Sequence, residues 1–275
     1  MNLGKLTTRQ IDNMSYTDFV GTVNQWNVPP GSYNTLSSWI NYGRITDQSH
    51  VLEIACTTGF SIREIFNITQ CSGDGIDISK ASTDTATKNQ KIYGNGDIDK
   101  IQYKNIDAYE FTSDKKYSHI VVGAALKFFP DQNKIIEKIT ELLKDGGYLL
   151  ASPFYVDSPV PEDLISEARG VFGITITSES YKDVMSTYNK FEIMHEEKHD
   201  IIEESHEEIQ YYTKCTIDRA TNQGTNCSKE IYEALFNRLV KIKEMSNKLR
   251  PYQKYSVLVL RYRENIYPNR FVELF

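Results

Sequence analysis

The 275-residue chain has four cysteines, at positions 56, 71, 215 and 227, with no CxxC pair and no dense framework. That scarcity excludes a disulfide-stapled scaffold and fits reduced thiols in a cytoplasmic protein. No run of roughly 18 apolar residues is present, so no membrane span is expected. The opening MNLGKLTTRQ lacks the apolar core of a signal peptide. Positive charge is not in excess: 31 Lys and Arg stand against 37 Asp and Glu, a net charge of -6. A dedicated nucleic-acid binder ordinarily carries a basic surface, so that class is disfavoured. There is no internal repeat and no low-complexity tract. What remains, 40% hydrophobic and 25% charged residues, is the composition of a globular protein. The length predicts one large domain, or one domain with an elaborate insertion, and suffices for a core without staples.

Residues 1–50 are polar. Tyr16, Phe19, Val20 and Val23, then Leu36, Trp39 and Ile40, fall at helical spacing on either side of a Pro29-Pro30-Gly31 turn. The pattern then changes. Short apolar strands at 51–55, 75–78, 101–103, 118–123 and 148–152 alternate with helices at 61–66, 79–89 and 133–144. Asp145-Gly146-Gly147 is read as the stop of the last of these. Such alternation predicts βαβ units and a parallel sheet covered by helices on both faces. Ligands of such sheets bind beyond the carboxyl ends of the strands. After residue 156 the pattern loosens into helices at 161–170, 178–188 and 231–249, a weak strand at 191–202 and a strong final strand at 255–262.

The turn after the first strand, Val51-Leu52-Glu53-Ile54-Ala55-Cys56-Thr57-Thr58-Gly59-Phe60, carries an acid and then small residues at alternate positions. Asp77 ends the second strand, Asp107-Ala108 follows the third, Gly123-Ala124-Ala125 ends the fourth, and Leu142 to Leu150 forms a helix-to-strand junction. In this order the landmarks resemble those of the class I S-adenosylmethionine-dependent methyltransferases, small-molecule enzymes in particular. The resemblance implies a Rossmann-like, doubly wound, mostly parallel seven-stranded sheet of order 3-2-1-4-5-7-6, the last strand antiparallel, with helical additions over the active site. It implies one domain organised as an N-terminal helical lid (1–45), a cofactor-binding core (46–157) and a completing segment with cap insertions (158–275). It implies cofactor contacts from Glu53, Ala55, Thr57, Gly59, Asp77, Ile78, Asp107, Ala108 and Gly123, with Tyr16 and Tyr33 added from the lid. Asp77 would accept hydrogen bonds from both ribose hydroxyls, which suits a carboxylate. Ala55 and Thr57 depart from the family's preference for Gly. Thr57 places a side chain where bare backbone is usual, so the loop either sits further back or donates a hydroxyl. Read blandly, Asp77 and Asp107 are turn or capping acids and the aromatics are packing residues.

A dinucleotide fingerprint in the same stretch would put Phe60 at its third Gly, blocking close helix–strand packing. His195-Glu196-Glu197-Lys198-His199 matches HExxH, but the preceding residues alternate like a strand. There the two histidines would stand ~13 Å apart along the chain, so no metal is expected. The basic set Arg238, Lys241, Lys243, Lys248 and Arg250 reads as the wet face of an amphipathic helix. His195, His199 and Lys127 are the available general-base candidates. The expectation is a cytoplasmic methyltransferase acting at O, N or C of a small acceptor, of undetermined oligomeric state, without nucleic-acid or membrane partners. A non-methylating or inactive binder of the same cofactor, and an NAD-dependent oxidoreductase, stay open.

Overall fold

The computed structural model describes residues 3–174, 176, 178–222 and 227–264. The N-terminal part holds α1 (Thr8–Asn13), α2 (Tyr16–Thr22) and α3 (Tyr33–Gly43). The alternating region follows as β1 (His50–Ile54), α4 (Phe60–Thr69), β2 (Ser72–Asp77), α5 (Lys80–Tyr93), β3 (Ile101–Asn105) and β4 (Tyr117–Gly123). Then come α6 (Gln132–Leu142), β5 (Leu143–Ala151) and β6 (Phe154–Val156). The C-terminal part holds α7 (Glu162–Phe172), α8 (Tyr181–Ser186), β7 (Phe191–Asp200), α9 (His206–Asn222), α10 (Lys229–Leu249) and β8 (Gln253–Tyr262).

The described strands form one sheet in the order β3-β2-β1-β4-β5-β8, with β7 on the outer side of β8. The first five run parallel, and β8 lies antiparallel between β5 and β7. The short β6 pairs with the opening of β8 on the side β5 occupies further along. Pro153, which has no N–H to donate, separates the two. Counted as one interrupted strand, β5 and β6 give the expected 3-2-1-4-5-7-6 topology of the Rossmann-like methyltransferase fold.

The elements follow from the pattern of burial. β1 is buried at its last four residues, which suits a central strand covered on both faces. One apolar layer (Leu52, Ile120, Ile135, Ile139, Leu149, Leu258) lies on one face of the sheet. A second (Leu36, Trp39, Ile62, Ile65, Val121, Val257) lies on the other. A third cluster joins Ile11, Phe19 and Val23 of the N-terminal helices to Ile217, Leu235 and Leu239 of α9 and α10. The N-terminal segment is thus clamped by the C-terminal helices.

Three details differ from the sequence reading. Helix α6 ends at Leu142, and Asp145-Gly146-Gly147 lie inside the irregular start of β5 rather than forming the stop. Residues 154–156 add a strand. Helix α9 was not expected, because its buried stripe is Ile209, Thr213, Thr216, Ile217 and Ala220, three of the five polar or small.

Helix α2 crosses α5 closely because of Gly21. A β-carbon there would stand 2.4 Å from the Ser82 nitrogen and 2.7 Å from the Ala81 carbonyl carbon, backbone atoms that cannot turn aside. Gly21→Ala is therefore expected to destabilise the protein by about 1–3 kcal/mol, read from urea-unfolding midpoints. An unchanged midpoint would mean that α2 is not docked as described.

Candidate functional site

The carboxyl ends of β1, β2, β3 and β4 meet at one edge. The turn leaving β1 there takes left-handed backbone at alternate residues: Ala55 (φ 57°), Thr57 (φ 51°) and Gly59 (φ 74°). Only Gly adopts this freely, so Ala55 and above all the β-branched Thr57 are held against their preference. The expected small-residue spacing is thus realised as backbone shape even where the residue is not Gly. The Thr57 hydroxyl donates to the Ala55 carbonyl (3.2 Å) and accepts from Asn27 Nδ2 (3.1 Å). The Thr58 hydroxyl donates to the Gln25 carbonyl (2.8 Å), and Asn89 Nδ2 donates to the Thr58 carbonyl (3.0 Å).

Asp77 stands opposite this turn. Its Oδ2 accepts from the Thr57 amide (2.9 Å) and its Oδ1 from the Ser79 amide (2.8 Å). Burial pushes its pKa up, the two amides oppose that, and the charge of Asp18 adds to it. Asp18, from α2, accepts from the Ser79 hydroxyl (2.6 Å). Asn105, at the end of β3, donates to the Asp77 and Ile78 carbonyls (3.0 and 2.8 Å) and fixes the turn that follows β2. Ile78 is 67% exposed beside it. Gly123, at the end of β4, is also left-handed (φ 52°), and its carbonyl accepts from the Ser152 amide (2.8 Å).

The remaining expected residues divide. Glu53 is buried behind the turn, where its Oε2 accepts from the Ile62 amide (3.1 Å). It anchors the first turn of α4 instead of facing the cleft. Burial drives its pKa up to about 7 against the pull of the Ile62 amide, Ser61 and Arg63. Asp107 Oδ1 accepts from the Tyr109 amide (2.9 Å), a turn cap, and Ala108 is core. Tyr16 packs between Phe128 and Phe172, and burial pushes its hydroxyl up to about 12. Tyr33 is exposed on α3, donating to Glu64 (3.3 Å) edge-on to Phe60.

The general-base candidates do not gather at Asp77. Lys127 pairs with Glu179. His195 and His199 lie on β7, on the far side of β8, and both lean onto Glu197 (2.7 and 3.1 Å), which also accepts from Ser38 (2.7 Å). The strand expectation for HExxH therefore holds, but the side chains converge more than chain spacing implied. Among the described residues no group of three or more His, Cys, Asp or Glu is placed to hold a metal ion. The basic set on α10 and the residue just after it is not simply a wet face. Arg238 caps the Ile11 and Met14 carbonyls, Lys243 and Arg250 pair with Glu204, and Lys248 pairs with Glu167.

Sequence reasoning missed Asp18, Asn27, Ser79 and Asn105. Ser79 carries a helix-capping signal, since it caps α5 at Ser82 (3.2 Å). Asp18 and Asn27 reach the site only through tertiary packing and leave no local signal.

A sheet of this order, with a carboxylate on β2 facing a left-handed turn after β1, has the Rossmann-like arrangement of the class I S-adenosylmethionine-dependent methyltransferase fold. Residues 52–149 match the family described as "Methyltransferase domain". The malonyl-[acyl-carrier protein] O-methyltransferase of Halalkalibacterium halodurans is 31% identical over 114 residues, 39% of this chain and 40% of the relative's length. The chain therefore matches well under half of that relative. Among solved structures, the MccD protein superposes with a TM-score of 0.70 at 26% identity, over 86% of this chain and 100% of that one. A Geobacter sulfurreducens S-adenosylmethionine-dependent methyltransferase, solved with S-adenosyl-L-homocysteine, superposes with a TM-score of 0.67 at 18% identity, over 90% and 98%. At that identity the likeness concerns the fold.

Two predictions follow from the turn. Ala55→Gly relieves a left-handed non-glycine residue and is expected to stabilise by about 1 kcal/mol, seen as a higher urea midpoint at unchanged slope. The second concerns Glu53, whose folded pKa of about 7 lies above the ordinary 4.5. The folded state keeps a proton there that the unfolded state loses, so this group's contribution falls as pH rises from about 4.5 through about 7. Glu53→Gln keeps an acceptor for the Ile62 amide. It should flatten that fall and exceed the parent at pH 8 by up to about 3 kcal/mol, measured by unfolding at pH 5 and pH 8. A parallel pair of pH profiles would refute it.

Proposed function

We propose that the chain binds S-adenosylmethionine at this edge and transfers its methyl group to O, N or C of a small-molecule acceptor. The observation that carries the reading is the Asp77 carboxylate held toward the 55–59 turn. An ionised carboxylate offers about four acceptor sites. Two are taken by amides, which leaves capacity for a pair of ribose hydroxyls. Thr57 turns its side chain toward Asn27 and leaves its amide face to the cleft. Exposed Ile78 supplies an apolar surface for a base, and Gly123 brings bare backbone to the end of β4. These residues fit the cofactor. Asp107, Ala108 and Tyr16 line the periphery of the same reading, and residues 1–45 act as its lid over a core at 46–157 completed by 158–275.

When bound, the cofactor supplies an electrophilic methyl on a sulfonium. The protein's own part is orientation and exclusion of water. The recess past the ends of β4 and β5 is lined by Leu126, Pro153, Val184 and Tyr188 together with Lys127 and Gln132, and it is too small to identify the acceptor. Neither Lys127 nor the two histidines is assigned a proton, since each is engaged elsewhere. A cytoplasmic setting is supported by the absence of any disulfide among the four cysteines. No helix of the described residues is long and apolar enough to cross a membrane.

Titration calorimetry with S-adenosylmethionine, S-adenosylhomocysteine and NAD tests the reading. The sulfur nucleosides are expected to bind and NAD is not; the reverse result sinks it. Asp77→Ala should weaken S-adenosylhomocysteine at least ~10-fold, the worth of a charge-assisted hydrogen bond. Equal affinity would remove Asp77 from the site.

A further inference from the structure

Beneath the 24–28 segment, beside the cofactor turn, hydrogen-bond donors outnumber their acceptors. Arg63 of α4 is fully buried. Its Nε donates to Glu64 (3.0 Å), yet Nη1 and Nη2 have no partner. Its guanidinium lies 5.0 Å from the Trp26 ring and 5.6 Å from the rings of Phe60 and Tyr93. Arg219 of α9 stacks on the same indole at 4.7 Å and donates through Nη2 to the Asn24 carbonyl (2.8 Å). Its Nε is buried and unpartnered, as is Trp26 Nε1. Among the described residues no carboxylate pairs with Arg219. Burial lowers its pKa, and the like charge of Arg63 acts in the same direction.

The imbalance is lopsided. Four orphaned atoms here, Arg63 Nη1 and Nη2, Arg219 Nε and Trp26 Nε1, are N–H donors, against the single orphaned acceptor Gln25 Oε1. The Glu64 carboxylate serves Arg63 alone of the two guanidinium ions and also accepts from Tyr33. Leaving charged donors unmade in a low-dielectric interior is costly, and stacking on aromatic faces compensates only in part. A planar anion answers all of these needs together, because an arginine fork matches the two oxygens of a carboxylate.

We propose that Arg63, Arg219 and the Trp26 indole N–H form a carboxylate-binding subsite next to the cofactor turn. The indole is the movable wall, since Trp26 is half-buried and stands outside any helix or strand, whereas Arg63 and Arg219 ride on α4 and α9. The proposal rests on the methyltransferase reading for its context. Phe60 directly follows Gly59, and Gln25, next to Trp26, holds Thr58. The carboxylate comes either from the amino-acid end of the cofactor or from a carboxylate-bearing acceptor.

The protein has two tryptophans, Trp26 and the fully buried Trp39, so a Trp39→Phe variant makes Trp26 the sole reporter. Its emission is followed while adding S-adenosylhomocysteine, 5′-methylthioadenosine (the same nucleoside thioether without the carboxylate) or malonate. A saturable change with S-adenosylhomocysteine and none with methylthioadenosine assigns the subsite to the cofactor. A change with malonate, with methylthioadenosine already bound, assigns it to the acceptor. Arg219→Gln should weaken the responding ligand at least ~10-fold, and Arg219→Lys, which keeps the charge but not the fork, should recover part of it. Thermal unfolding checks that each variant folds; if Arg219→Gln does not, the parent titrations and Arg219→Lys decide. No response to either carboxylate, or a response that Arg219→Gln leaves intact, overturns the proposal. If neither nucleoside binds, the methyltransferase reading fails, and malonate alone still decides whether the subsite exists.

Discussion

The hydrogen bond from the Thr57 amide to the Asp77 carboxylate joins the turn after β1 to the end of β2, and much of the site depends on it. A carboxylate this buried favours its neutral form. The amides of Thr57 and Ser79 oppose that tendency. The same amide is presented only because residues 55, 57 and 59 take left-handed backbone. Two of the three are not glycine, so the turn stores strain. Its surroundings hold it: Glu53 pins the start of α4 from behind, and Tyr103, Gln25 and Asn89 grip it from the sides. Strain of this kind survives only where neighbouring contacts over-determine the backbone.

The N-terminal segment is part of that grip. Asn24 exchanges two hydrogen bonds with Asn89, at 3.0 and 2.9 Å, deep between the segment and α5. Arg219 and Arg238 then tie the segment to α9 and α10. Residues far apart in sequence therefore converge on one turn. The helices outside the sheet position the N-terminal segment, and that segment positions the loop. Asp18 reaches Ser79 by the same route, bringing a second carboxylate to the Asp77 neighbourhood.

The sheet was legible because its signals are local. Buried strands such as Val51-Leu52-Glu53-Ile54 are short apolar runs bounded by turn residues, and their alternation with amphipathic helices dictates handed βαβ crossovers. The ends of those strands then specify which residues share an edge, so Asp77, Gly123 and the 55–59 turn could be placed together. Strand alternation does not say which end of a turn a side chain serves, and Glu53 turns to the Ile62 amide. Helix α9 was hidden because two threonines stand in its buried stripe. The HExxH string shows the same limit from the other side. On a strand its first and last residues share a face with the residue midway between them, Glu197, and the carboxylate takes the space between the two imidazoles. Tertiary partners such as Asn27, Asp18 and Arg219 carry no mark in the sequence at all.

Charge is distributed unevenly around the 55–59 turn. On the β2 side stand Asp77 and Asp18, and on the α4 side stand Arg63 and Arg219. The turn is a few residues wide, and the interior on either side screens poorly. A ligand lying across it meets acceptors at one end and donors at the other. On the proposed reading, hydroxyl groups lie on the first side, where the carboxylates accept, and an anionic group on the second. The polarity comes from side chains on four different elements, Asp77 on β2 and Asp18 on α2 against Arg63 on α4 and Arg219 on α9, and so is fixed before any ligand arrives. Preorganisation of that kind selects orientation more than it adds affinity, because a reversed ligand would set carboxylate against carboxylate. For a transfer that requires three atoms in line, fixing the direction of one reactant is the larger part of what a protein has to provide.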